Sequence, residues 1–274
     1  TAARLTLLYG PSGVGKSSVL RAGVRHALVK EAAVNLAQYG APEMAVVYFN
    51  NWRDDPLPGL IGAVEAAARE ALTGFNVTPP TATGFVEALA GWSDVVEGPL
   101  LIILDQFEEY FLYHSGNDGP GTFADEFPRA VTRRGLRVAF LVSLREDALA
   151  SLDRFKGRIP TLFDNRLRID HLDYAAAEMA IRRPLDEWNT LVPLSEAMGI
   201  EDDLVKAVLA QVQRGAVVIG DAGRGQAVTP AADVRIETPF LQLVMTRLWD
   251  EERRQGSHVL RLATLQALGG AERI

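Results

Sequence analysis

An α/β architecture with a parallel sheet, followed by a helical module, is the fold that the sequence predicts. Short runs rich in β-branched and apolar residues alternate with segments of helical periodicity, as strands joined by crossover helices do. Two of these runs, Leu100-Leu-Ile-Ile-Leu104 and Val138-Ala-Phe-Leu-Val142, are apolar throughout, which suits parallel strands covered on both faces. After about residue 172 the strand signal fades and helical periodicity takes over.

In chain order, the predicted strands are Arg4–Tyr9, Met44–Asn50, Leu100–Asp105, Leu136–Leu144 and Arg166–Leu172. Helices are expected over Ser17–Gln38, Leu57–Leu72, Phe85–Val96, Phe123–Arg134 and Tyr174–Asn189, with turn-rich loops at Thr73–Thr83 and His114–Thr122. In the helical part, Ile200–Arg214 and Thr238–Gln255 read as helices, the second with Leu241, Val244, Met245, Leu248 and Trp249 on one face. Gly215–Arg235, rich in glycine and small residues, reads as a loop or hairpin insertion between them. The expected division is a nucleotide-binding core over residues 1–172, a helical lid over 173–258 with its insertion near 215–235, and the start of a further domain over 259–274.

Composition sets the outer bounds. The 274 residues are 48% hydrophobic and 23% charged with a net charge of −7, which excludes disordered, collagen-like and coiled-coil chains. The acidic excess argues against a chain that coats nucleic acid. The pairs Arg133–Arg134, Arg182–Arg183 and Arg253–Arg254 fall near predicted helix C-termini, where the dipole favours cations, and no aromatics interleave with them. Direct nucleic-acid binding is therefore not expected. The absence of cysteine excludes disulfide scaffolds, thiol catalysis and cysteine-ligated zinc. The histidines at 26, 114, 171 and 258 lack metal-site spacing. No apolar run approaches the ~18 residues of a membrane span, and no secretory signal is visible, so a cytoplasmic location is expected. The chain opens on Thr1 and stops at Ala-Glu-Arg-Ile, and is expected to be a piece of a longer protein.

One motif carries the chemistry. Gly10, Pro11, Ser12, Gly13, Val14, Gly15, Lys16 and Ser17 fit GxxxxGK[ST], directly after a predicted strand and directly before a predicted helix. That is the context in which this loop binds phosphates: glycines let backbone amides wrap the anion, and the helix N-terminus adds its partial positive charge. Together with Ser18 these residues make the expected nucleotide pocket. Lys16 would reach the β- and γ-phosphates, and the Ser17 hydroxyl would coordinate Mg²⁺. The apolar strand ending in Asp105 supplies the second acidic element, placed to hold the same Mg²⁺. These elements predict a P-loop NTPase sandwich of three layers.

The strand Met44–Asn50 lies between the two nucleotide motifs, which points to the additional-strand class of such NTPases. That class usually places a glutamate directly after the aspartate; here the slot holds Gln106, followed by Phe107, Glu108 and Glu109. Glutamine can orient a water but cannot take its proton, so hydrolysis is expected to be slow. Glu108 or Glu109 could serve as base, with Glu109 facing the site if a helical turn begins directly after the strand. A competing reading has both acids simply favouring a helix start. The strand at 138–144 leads into Arg145, which is placed to read the γ-phosphate.

The segments GPSGVGKSSVLRAGV, LLIILDQFEEYF, FLVSLREDALASLDR, LFDNRLRIDHL and ETPFLQLVMTRLWDEE resemble the novel STAND NTPase type-one family, related to the NB-ARC and NACHT switches. The resemblance covers nearly the whole chain. It implies a five-stranded sheet in the order 5-1-4-3-2, then a helical domain and a winged helix, which would be starting near LRLATLQALGG. It also implies ATP/ADP as ligand, Mg²⁺ at Ser17 and Asp105, an arginine sensor at Arg145, and a helical-domain proline against the adenine. Pro239 is the candidate for that proline, with Pro184 the weaker one; a first-turn helix position equally explains Pro239.

The expected function is a nucleotide-controlled switch of a multidomain bacterial signalling or defence protein. Effector and sensor domains would lie in the same polypeptide, with self-association in the ATP form. Three rival readings stand beside it. A ring-forming ATPase would remodel protein or nucleic acid, and a binding-only module would hold nucleotide without cleaving it. A small-molecule kinase would need an acceptor pocket and base that the sequence does not display.

Overall fold

The computed structural model describes residues 3–213 and 235–273. The chain forms two compact units that part near Ile169 and Asp170, and each is considered by itself.

The first unit is built on a parallel sheet of five strands: β1 (Leu5–Gly10), β2 (Ala45–Phe49), β3 (Leu100–Leu104), β4 (Val138–Arg145) and β5 (Arg166–Arg168). Their order is β2-β3-β4-β1-β5, the expected 5-1-4-3-2 read from the opposite edge. Register brings Leu104 of β3 beside Val142 of β4, and Gly10 of β1 beside Arg145 of β4. The C-terminal ends of the three central strands therefore open on one edge, where ligands of parallel α/β sheets bind.

Alternation along the strands divides the core between two faces. Leu7, Val47, Ile102, Leu104, Phe140 and Val142 pack in one cluster with Leu60, Val64, Leu89, Trp92 and Phe127. Those partners come from α3 (Pro56–Ala71), α4 (Phe85–Val95) and α6 (Phe123–Thr132). On the other face Leu8, Val46 and Ile103 pack with Leu20, Val24 and Leu28 from the helical run after β1. Helices on both faces make the predicted three layers.

That helical run was expected to be one helix. It is instead α1 (Lys16–Ser18), a π-helical stretch (Val19–Arg25) and α2 (His26–Tyr39), closed by Gly40 in the left-handed conformation. Sequence periodicity does not distinguish a π turn from an α turn over so short a stretch. The fifth strand, predicted to reach Leu172, ends at Arg168 because Leu172 pairs antiparallel with Ile236 instead. Two further elements follow the nucleotide-side strands: the short α5 (Glu108–Tyr113) and a 3₁₀ stretch (Glu146–Phe155).

The second unit contains α7 (Tyr174–Leu191), α8 (Asp202–Gln211), α9 (Thr238–Arg254) and α10 (Leu262–Ala267). A two-residue parallel ladder joins β6 (Gly199–Ile200) to β7 (Val259–Leu260). Asp173 caps α7 by accepting from Ala176 N–H at 2.7 Å. Ile181, Leu204, Val208, Leu241, Val244, Leu248, Leu260 and Leu265 form one core, so the stripe predicted on α9 is the buried one. Arg214 and the predicted insertion as far as residue 234 lie outside the described residues. No described helix is long and apolar enough to cross a membrane.

Glu252 on α9 is fully buried, with 0% of its surface exposed. Its carboxylate accepts from the Arg261 guanidinium at 2.6 Å, from Arg261 N–H at 3.1 Å and from the Thr264 hydroxyl. Burial alone would raise its pKa, but these donors outweigh burial and hold it at about 2. A depressed carboxylate stabilises the fold above its ordinary pKa and loses that contribution as pH falls toward the depressed one. Glu252→Gln is expected to cost about 2–3 kcal/mol at pH 7, because it weakens three donors' bonds to one charge. Urea titrations at pH 7 and pH 3 should show the gap narrowing in acid; an equal gap at both would contradict the ionised role.

Candidate active site

The phosphate loop departs from the buried end of β1 and turns through Gly13 at φ +76° and Gly15 at φ +90°. Both values lie in the left-handed region, where a Cβ is unfavourable, which accounts for glycine at these positions. Pro11 and Ser12 lead into the turn, Val14 stands between the glycines, and Lys16, Ser17 and Ser18 form the first helical turn. The Lys16 ammonium donates to the carbonyls of Gly10 at 3.0 Å and Pro11 at 2.9 Å, closing the loop on itself. Burial pushes the Lys16 pKa down, while the carboxylates of Glu108 and Asp105 pull it back up and Arg145 adds to the lowering.

Asp105 follows β3 directly and is 1% exposed. Its N–H donates to Phe49 O at 2.9 Å, and its carbonyl accepts from Trp52 Nε1 at 2.7 Å. Its carboxylate Oδ2 accepts from the Tyr48 hydroxyl at 2.7 Å. The backbone then kinks: Gln106 adopts φ +54°, and the fully buried Phe107 inserts into the core with its N–H on Ser143 O at 2.9 Å. Only after this plug does α5 begin.

The kink decides which glutamate meets the loop. Glu108 Oε2 accepts from Arg145 N–H at 3.2 Å, and its charge interacts with Lys16 and Asp105. Burial pushes its pKa up, while backbone donors and Lys16 oppose the shift. A helical turn starting directly after the strand would have turned Glu109 toward the site; the later start brings Glu108 there. The Glu109 N–H donates to Gln106 O at 2.9 Å within the turn. Arg145 ends β4 with its guanidinium bidentate on Asp147, at 3.1 and 2.6 Å. The geometry thus gathers Lys16, Asp105, Glu108 and Arg145 around one strand edge.

The two prolines considered for the base lie in the second unit. Pro239 stands in the first turn of α9. Pro184 sits inside α7 and lines an apolar cleft with Trp188, Met245 and Trp249.

Three residues near the site escaped the sequence reading. Tyr48 contacts Asp105 through the pairing of β2 with β3, and Trp52 does so from the segment after β2; no local pattern announces either. Ser143 did leave a signal, as the one hydroxyl in the otherwise apolar run Val138–Leu144. It is fully buried, its Oγ has no hydrogen-bond partner, and strand register puts it beside Leu8 of β1.

Ser17 and Asp105 present a hydroxyl and a carboxylate, the hard oxygen donors that magnesium takes. Among the described residues no group of three or more acidic or histidine side chains could hold a metal ion. This donor set fits a cation that keeps most of its coordination to phosphates and water, as magnesium with a nucleotide does.

A parallel sheet carrying a phosphate loop on its first strand and an aspartate at the end of a neighbouring apolar strand defines a P-loop NTPase. The chain belongs to the family described as Novel STAND NTPase 1, whose model matches residues 1–274. Members of this group typically sit within multidomain proteins. No curated protein matches it in sequence. Among solved structures it resembles the Aeropyrum pernix ORC2 protein in ADPNP-ADP complexes, with TM-score 0.58 and 16% identity over 99% of this chain and 63% of that one. It also resembles Cdc6p from Pyrobaculum aerophilum, with TM-score 0.52 and 17% identity over 93% of this chain and 57% of that one. A third is the Aeropyrum pernix ORC1 protein in complex with DNA, with TM-score 0.51 and 18% identity over 96% of this chain and 58% of that one. At such identities the likeness is one of fold, and the chain spans less than two thirds of each of these proteins.

Proposed function

We propose that this chain is the ATP-binding, slowly hydrolysing switch module of a multidomain bacterial signalling or defence protein. The observation that supports it best is the glycine-rich loop closed by Lys16, with Asp105 at the end of β3 and Glu108 bonded to the N–H of Arg145 at the end of β4. The triphosphate would lie along Gly10–Ser18, held by loop amides and by Lys16. Ser17 and Asp105 would hold the magnesium, which supplies neutralising charge to the β- and γ-phosphate oxygens.

Glu108 is the base in this reading. Its carboxylate takes a proton from water as the water oxygen bonds to the γ-phosphorus. The bond from that phosphorus to the bridging oxygen breaks, and ADP and phosphate leave. Gln106 occupies the slot next to Asp105 and cannot accept that proton, so the base stands displaced from its usual place and hydrolysis is slow in this reading. Arg145 would exchange its Asp147 partner for the γ-phosphate and so report which nucleotide is bound. Pro239 would stand against the adenine. Effector and sensor domains would share the polypeptide, with self-association following ATP binding.

The test is nucleotide binding and phosphate release by purified protein. MgATP and MgADP are expected to raise the melting temperature of the wild type, with slow phosphate release. Lys16→Ala is expected to lose about tenfold or more in affinity, the contribution of charge-assisted bonds to phosphate. Wild-type protein that ignores both nucleotides, or Lys16→Ala binding like wild type, overturns the reading. Binding without phosphate release would leave a module that holds nucleotide structurally.

A further inference from the structure

We infer that Tyr48 is a positioning residue that sets the orientation of the Asp105 carboxylate toward the cation carried by the nucleotide. The inference rests on the nucleotide reading above and adds a residue that the phosphate-loop and acidic motifs do not contain.

Tyr48 lies on β2 in register with Ile103 of β3, two residues before Asp105. Residues two apart on a strand share a face, so the phenol points along the sheet surface toward the aspartate. Its hydroxyl donates to Oδ2 at 2.7 Å, the only side-chain hydrogen bond to this carboxylate among the described residues. The backbone of Asp105 is held independently, by Phe49 O on its N–H and by Trp52 Nε1 on its carbonyl. With both main-chain groups fixed, rotation about the side-chain bonds is the remaining freedom, and the Tyr48 hydroxyl removes it. One carboxylate oxygen, Oδ2, is thereby held in place.

The tyrosine is itself braced, with the Arg21 guanidinium 5.4 Å from its ring centroid. Arg21 belongs to the π-helical stretch directly after the phosphate loop, and such stretches recur at functional sites. The loop's own helix thus steadies the residue that steadies the aspartate. Groups standing behind a metal-holding side chain commonly govern its metal affinity.

Tyr48→Phe keeps the ring, its packing and the Arg21 contact, and removes only the hydroxyl. The readout is binding of a fluorescent ADP analogue, titrated with magnesium and repeated in EDTA. The expected result is a magnesium midpoint raised by about tenfold, with metal-free nucleotide affinity unchanged within about twofold. A purely structural role would lower both together or neither. Wild-type protein that responds to magnesium while Tyr48→Phe shows the same midpoint overturns this inference and leaves the nucleotide reading standing. Wild-type protein with no magnesium-dependent binding overturns both.

Discussion

Glu108→Gln is expected to cut steady-state turnover by about 100-fold or more, the usual cost of losing a general base, while nucleotide affinity stays within about threefold. The amide keeps the size of the carboxylate and can still accept from Arg145 N–H, which now bonds Glu108 Oε2 at 3.2 Å. What it cannot do is take a proton. Glu109→Gln is the matched control, expected to stay within about threefold of wild type. Phosphate release under single-turnover conditions, together with a binding titration, separates the two effects. Loss in the Glu109 variant but not in the Glu108 variant would move the base by one residue.

The same residue fixes the sign of two pH dependences. Burial raises the Glu108 pKa, so the ionised base is lost on acidification at a higher pH than an ordinary glutamate would require. Wild-type turnover is expected to fall as pH drops through that raised value, and this limb should be missing from the residual activity of Glu108→Gln. Stability runs the other way. The folded protein holds this proton more tightly than the unfolded chain, so the contribution of Glu108 is present in acid and lost as pH rises through its folded pKa. The nucleotide-free variant should therefore melt at or above wild type at neutral pH, and the advantage should shrink in acid.

The phosphate loop was legible because its requirements are local: glycines where φ is positive, then a lysine and a hydroxyl on the first helical turn. The sheet was legible as strands from its apolar runs, whereas its order came from family resemblance and not from periodicity. What happens after Asp105 was not legible. A turn starting at once would have favoured Glu109. The outcome depended on Phe107 finding a place among Trp52, Tyr110 and Phe127, and on Gln106 accepting a left-handed backbone to let it reach there. Such a choice is made by tertiary packing, which propensity does not encode. Tyr48 stayed hidden for a related reason, since its partner lies 57 positions away and only strand register joins them.

Trp52→Ala is expected to destabilise the first unit by about 4 kcal/mol, near the upper range for truncating a buried aromatic residue. The indole is 1% exposed and meets Phe49 and Phe107 at 5.0 Å, Phe123 at 5.6 Å and Tyr110 at 5.8 Å between ring centroids. All four contacts are edge-on, a geometry that contributes beyond the area it buries. For a unit of this size the cost corresponds to roughly 8–16 °C in melting temperature. Trp52→Phe divides the effect into parts. It retains much of the ring packing but leaves the Asp105 carbonyl without the Nε1 donor now 2.7 Å away, a loss of about 1–3 kcal/mol for a buried acceptor. Urea unfolding of both variants measures the two contributions, and a cost below about 1 kcal/mol for Trp52→Ala would contradict the hub role. The magnesium midpoint of Trp52→Phe adds a further distinction. Should it rise as in Tyr48→Phe, the backbone and side-chain anchors of Asp105 act on one orientation. Should stability alone fall, the indole serves the core, and the aspartate is aimed by its tyrosine.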